Sequence, residues 1–335
     1  MDADFRKNGF VGFVSGNYGA GMWFTLIMIR RCRILKMLLA VASVGVGMQM
    51  TGAYGYKFPP VESNVPYGTH PHETIDVFVP TTGKPPYPVV ICYGGLWVSG
   101  KDPRGTDPYP PLGIAAVAVQ SRGLSDAMAA KIYPPIAWVM QDAVRVVQFV
   151  RLNAARWKLD PNRIALEGAS QAGLPALYVA CSADKANPNA TDPVERTSTK
   201  VLGVALLRVQ PSIDPKRMQE WVPGVEWGAP SLGMSFADSL KNYDKVLPYL
   251  KEYSPDWLVN KETPPLYFYN NEGLIPAAGV DPMGGKVHSP AWGLGFQRLA
   301  LERSDANVYV QYPGHASPFP SFTNFLQKML IPGSK

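Results

Sequence analysis

From Thr74 to Tyr312 the chain alternates strand-like apolar runs with helix-like ones, and this alternation restricts the fold more than any other feature. "TIDVFV" (74–79), "PVVICY" (88–93), "GIAAVAVQ" (113–120), "RIALE" (163–167), "KVLGVALLRVQ" (200–210), "PLYFYN" (265–270) and "NVYVQY" (307–312) read as strands. Between them, Ile136, Val139, Met140, Ala143, Val146, Val147 and Val150 follow the three-four spacing of one helix face over 136–157. Strands joined through helices imply right-handed crossovers and a mainly parallel sheet with helices on both faces. Near-continuous Val/Ile/Ala runs suit such strands, which are buried on both sides. Ligands of open α/β sheets sit beyond the carboxyl ends of the strands, so the residues just after each run are the functional candidates.

Three such positions stand out. After "RIALE" comes Gly168-Ala169-Ser170-Gln171-Ala172-Gly173, close to the G-x-S-x-G turn that lifts a serine hydroxyl clear of the sheet between strand and helix. A serine that merely caps the next helix is the plainer alternative. After "PVVIC" comes Tyr93-Gly94-Gly95-Leu96-Trp97. Acyl transfer places negative charge on an oxygen, and glycines let backbone N–H donors approach it. Gly94, Gly95 and the amide of Gln171 are the expected donors. After "NVYVQY" comes Pro313-Gly314-His315, where an imidazole can reach a central serine. Of the other histidines, His70 and His72 in "THPH" read as a surface turn, and His288 in "KVHSPAWG" as packing or substrate lining at a helix start. The acid that orients the histidine is expected after "PLYFYN": Asp281, with Glu272 as the alternative. Trp97 and Gln210 are expected to line the substrate, with Trp221 and Trp227 as further aromatic candidates.

These segments together resemble the carboxylesterase/lipase branch of the α/β-hydrolase superfamily that carries an HGGGW oxyanion motif and includes acetyl-xylan- and feruloyl-type esterases. The resemblance spans residues 65–330. It rests on "PVVICYGGLWVSGKD", "QDAVRVVQFVRLNAARWKLDPNRIALEGASQAG" and "VYVQYPGHASP". It implies an α/β-hydrolase fold and cofactor-free cleavage of carboxylic esters through a Ser-His-Asp triad, on a small-molecule or polysaccharide-linked ester. Tyr93 and Leu96 stand where the motif has His and a third Gly, and Leu274 stands where the family has its Asp. Asp281-Pro282 followed by Val287-His288 looks like the displaced acid segment. Two rival readings follow: a peptidase of prolyl-oligopeptidase type, and an inactive hydrolase fold that binds a polysaccharide or protein.

Charge and cysteine content narrow the class further. Of 32 Lys and Arg and 26 Asp and Glu, six and two lie in the first 55 residues, which leaves the remainder near neutral and without the basic footprint of nucleic-acid binding. The early charge belongs to "MIRRCRILK", followed by the apolar "MLLAVASVGVGM" and then by Ala53 and Gly55, the order of a secretory signal over 28–55. Residues 1–27 read as translation from an upstream start codon; an uncleaved membrane anchor is the alternative to the signal. A secreted or periplasmic hydrolase domain over 56–335 is therefore expected, with a cap-like insertion at 211–262 and a surface loop at 184–199. Cys92 and Cys181 lie in apolar runs and read as two buried thiols, with one disulfide as the alternative. No paired Cys/His spacing suggests a metal.

Overall fold

The computed structural model describes residues 56–274 and 282–333, so the signal read at 28–55 and Asp281 lie outside the described residues. Its sheet has eight strands: β1 (Glu62–Pro66), β2 (Thr74–Phe78), β3 (Tyr87–Tyr93), β4 (Ala115–Gln120), β5 (Leu159–Ala169), β6 (Val204–Leu207), β7 (Leu266–Tyr269) and β8 (Val308–Gln311). They lie in the order β1-β2-β4-β3-β5-β6-β7-β8. β2 runs antiparallel to β1 and β4, and every later pair is parallel. β3, between β4 and β5, is buried at all seven residues, which is why its sequence is an unbroken apolar run. Alternate residues serve two cores. Val89, Ile91, Leu166, Leu206 and Phe268 face one; Val90, Cys92, Ala165, Ala205 and Tyr267 face the other.

In chain order the helices are α1 (Pro103–Thr106), α2 (Leu124–Ala129), α3 (Ile136–Leu152), α4 (Gly173–Cys181), α5 (Pro215–Trp221), α6 (Phe236–Lys241), α7 (Tyr243–Tyr253), α8 (Pro255–Leu258), α9 (Pro282–Val287), α10 (Ala291–Ser304) and α11 (Phe322–Leu330). α3 buries the seven apolar residues that its spacing singled out, each large one worth roughly 1.5–3 kcal/mol when withdrawn from water. It ends five residues earlier than the pattern suggests. A 3-10 turn over Ala154–Trp157 and a left-handed Lys158 (φ 56°) redirect the chain into β5. α11 covers the opposite face through Phe325, Leu326 and Leu330.

The 211–262 stretch folds as α5–α8 with one intervening 3-10 turn, and these helices contact α3, α4 and α10. Residues 184–199 form a loop without helix or strand, held at its base by Asp184, which accepts from Ser198 Oγ (2.7 Å) and Thr199 N (2.9 Å). Cys92 and Cys181 are buried and unpaired as thiols, in agreement with the two-thiol reading. Among the described residues no helix is long and apolar enough to cross a membrane.

Candidate active site

Ser170 sits at the junction where β5 gives way to a 3-10 turn and then α4. Its φ is +51°, a left-handed conformation that costs a non-glycine residue about 1–3 kcal/mol and persists only where the surroundings hold it. The turn is tight because its neighbours are small. A Cβ on Gly168 would lie 2.5 Å from the carbonyl oxygen of Ala172 and 2.6 Å from Cα of Gly173. Ala172 is accepted where the motif has its second glycine, and it is buried. Ser170 does not stand at a cap position: Ala169 and Ala172 are the residues that precede this turn and α4.

The hydroxyl has an imidazole partner. Ser170 Oγ lies 2.8 Å from Nε2 of His288. The structure therefore brings together Ser170 and His288, and not Ser170 and His315. His288 stands in the short link between α9 and α10, half-buried. Two side chains from the strand ends hold that link in place. Gln210 Nε2 donates to Val287 O (2.6 Å), and Asn270 Nδ2 donates to His288 O (2.5 Å). His315 lies instead on the exposed turn after β8, where its ring stacks on Tyr312 at 5.0 Å and its backbone exchanges hydrogen bonds with Tyr312. The physical reason is in the local sequence: Val287, Pro290 and Trp292 anchor the His288 link in apolar surroundings, whereas Pro313-Gly314-His315 turns outward. Because the expectation rested on the position just past a strand, it chose the histidine after the last strand. Val287 and Trp292 in the sequence were the signal that His288 sits inward.

Burial holds the His288 imidazole below its ordinary pKa, and the nearby Arg208 guanidinium lowers it further; Glu272 and a hydrogen bond to the Gly284 backbone oppose them. The ring therefore keeps its neutral form to lower pH than an exposed histidine does. Glu272 does follow β7 as expected, but its Oε1 pairs with Arg208 Nη2 at 2.6 Å and acts on His288 through space. Arg208 was missed by the sequence reading, although it directly follows β6 and so obeys the strand-end rule. It too is left-handed (φ 55°), and its Nε is buried without a hydrogen-bond partner.

The segment after β3 approaches the same turn. Trp97 N donates to Gln171 Oε1 at 3.1 Å, which ties the Gly94–Trp97 segment to the residue beside Ser170. Glycine is needed there: a Cβ on Gly94 would strike the Gly100 carbonyl oxygen and lie 2.8 Å from Lys101 Cα. Trp97 is partly buried, edge-on to Trp227 at 5.8 Å, and Trp227 in turn meets Trp292 at 6.5 Å. Trp221 is buried and packs against Phe296 at 6.5 Å. Gln210 does not line a substrate space as expected. It is fully buried, and its amide nitrogen donates to the carbonyls of Arg208 and Val287, while its Oε1 is buried without a partner.

The model for BD-FAE matches residues 75–272, more than half of the chain. The chain belongs to the BD-FAE family. The BD-FAE match covers Gly94, Gly95, Ser170, Arg208 and Glu272 but stops short of both His288 and His315, so the family match does not choose between them. A curated relative, the probable isoprenylcysteine alpha-carbonyl methylesterase ICMEL2 of Arabidopsis thaliana, is 27% identical over 161 residues. That likeness takes in 46% of this chain and 35% of the plant protein, so the chain spans about a third of the length of that relative. Among solved structures, an acetyl ester-xyloside bifunctional hydrolase from Caldicellulosiruptor lactoaceticus is similar with a TM-score of 0.54 at 18% identity, over 76% of this chain and 86% of that one. The esterase Est2 from Thermogutta terrifontis gives a TM-score of 0.51 at 18% identity, over 84% and 98%. With the strand order, these likenesses show the α/β-hydrolase fold that the motifs implied.

Proposed function

We propose that this BD-FAE protein is a serine hydrolase of carboxylic esters, with Ser170 as nucleophile and His288 as general base. The observation that carries this reading is the 2.8 Å contact between Ser170 Oγ and His288 Nε2, made by a serine held left-handed at a strand-to-helix turn. In the first step Ser170 Oγ bonds to the acyl carbon while its proton passes to His288 Nε2. The amides of Gly94, Gly95 and Gln171 hold the resulting oxyanion; one such donor is typically worth roughly 100- to 1000-fold in rate. Collapse of the tetrahedral intermediate breaks the ester C–O bond, and His288 returns the proton to the departing alcohol. Water then enters, gives a proton to His288 and bonds to the acyl carbon; as the bond from that carbon to Ser170 Oγ breaks, His288 returns the proton to Oγ, which frees the acid and Ser170.

On the described residues the protonated imidazole is steadied by Glu272 through space and by the Gly284 backbone. Asp281, the acid expected first from the sequence, lies outside the described residues and stays the other candidate for this role. The similar proteins act on esters, which favours an ester over a peptide, and an acylated carbohydrate is the substrate class we take from the acetyl ester-xyloside hydrolase. Export by the signal at 28–55 would place the enzyme where such material is met.

The test is turnover of p-nitrophenyl acetate and of acetylated xylan. Wild type hydrolyses both and Ser170→Ala neither. Equal turnover by the two proteins would refute the nucleophile. A peptide substrate preferred over every ester would favour the peptidase, and no turnover with tight polysaccharide binding would favour the inactive binder.

A further inference from the structure

We infer that His70, His72 and Asp126 form a binding site for one divalent transition-metal ion, with zinc as the preferred class. Each of the three side chains offers a ligand atom, and these atoms lie within 4.8 Å of one another. His72 Nδ1 is already 2.9 Å from Asp126 Oδ2. Ligand atoms around one zinc ion stand about 3.3 Å apart when each bond is about 2.0–2.1 Å, so rotation of a half-exposed ring closes the remainder. Two imidazoles and one carboxylate select borderline ions such as Zn²⁺ and Co²⁺ over the oxygen-seeking Mg²⁺ and Ca²⁺. Water completes the shell.

The surroundings fix the ligands before any ion arrives. The His70 amide donates to Glu73 Oε2 (2.7 Å), and the His72 amide donates to His70 Nδ1 (3.2 Å), which occupies that nitrogen's lone pair, so an ion held by His70 binds Nε2 with loss of its proton or displaces this hydrogen bond. The His70 ring packs against His72 at 5.0 Å and Trp138 at 6.3 Å. Asp126 Oδ2 accepts from Gly123 N at 2.8 Å, the kind of outer partner that orients a metal ligand. The neighbouring cation, Arg122, is engaged by Asp142 and faces Glu73 at 3.7 Å, so Asp126 is not its counter-ion. An ion here would join the β1–β2 connection to the first turn of α2. That turn backs the segment proposed for the oxyanion: Leu124 N donates to Leu96 O (2.8 Å) and Ser125 N to Trp97 O (3.1 Å). Asp126 is 54 residues from His72, which is why no local spacing announced the site.

The experiment uses the full chain, with any affinity tag removed and metal stripped by chelator. Added Co²⁺ should give a visible ligand-field band that saturates at one equivalent and is displaced by Zn²⁺, while Mg²⁺ and Ca²⁺ leave it unchanged. His72→Asn and His70→Ala should each weaken the ion by at least the 10- to 100-fold that outer partners alone are worth. Ser170→Ala and His315→Ala should bind as wild type. His70→Ala leaves the His72–Asp126 contact in place, so it separates ligand loss from damage to the fold. Because the site exists only in the folded chain, saturating zinc should also raise the thermal midpoint. No saturable band, or an affinity unchanged in both histidine variants, would overturn the proposal.

Discussion

Ser170 and Arg208 stand at neighbouring strand ends, since Ala169 and Leu207 pair across β5 and β6, and both are left-handed. One carries the hydroxyl that His288 meets; the other sets the charge that His288 feels. Burial and Arg208 together lower the pKa of that imidazole, so the acid limb of kcat/KM should fall below the ordinary histidine range. Replacing Arg208 by Gln removes a repulsive cation and releases Glu272 from its ion pair, and both changes favour the protonated ring. The acid limb of Arg208→Gln should therefore move to higher pH, as read from kcat/KM between pH 4 and 8. An unmoved or lowered limb would contradict this account of the electrostatics. Ser170 was legible because strand, small neighbours and helix surround it in sequence. Arg208 could have been found by the strand-end rule, whereas the meeting of His288 with Ser170 also depends on how Gln210 and Asn270 pin a link between two helices, which the apolar neighbours of His288 mark as inward but do not aim.

At the scale of elements, β5, its turn and α4 work as one unit, and Gly168 is where they touch. Gly168→Ala would press a methyl on backbone atoms of residues 172 and 173, which cannot rotate away. The turn must widen, at a cost of about 1–3 kcal/mol by comparison with overpacked interiors. The urea midpoint should drop and activity should fall with it; an unchanged midpoint would mean that the crossing is looser than the structure has it. Strongly patterned elements were read correctly: β2, β3, β4 and α3 fall where alternation, an unbroken apolar run or three-four spacing places them. Boundaries fared worse where a left-handed residue intervened. Lys158 delimits the region of α3, and Arg208 ends β6 at four residues although apolar sequence continues on both sides.

For the whole molecule, pH acts on stability through buried carboxylates as well as on the site. Burial pushes Glu167 up to about 8, against the pull of the Tyr109 hydroxyl that donates to it; the charge of Asp102 adds to the rise. A carboxyl whose folded pKa lies above its unfolded value near 4.5 stabilises the fold fully below that unfolded value. The contribution is lost as pH rises towards about 8. Glu167→Gln keeps an acceptor for Tyr109 and removes the titration. Its thermal midpoint should exceed that of wild type at pH 9, and the gap should close at pH 4. A gap that does not change with pH would argue against a buried titrating group.

The pairing of Ser170 with His288 is the claim on which the catalytic reading stands, and the family match leaves it open because that match ends at residue 272. The direct measurement is kcat/KM for p-nitrophenyl acetate in His288→Ala and His315→Ala side by side, with folding checked by circular dichroism. Loss of the base that activates a serine costs on the order of 10⁴-fold or more. The account predicts that loss for His288→Ala and a change within about tenfold for His315→Ala; the reverse pattern would contradict it.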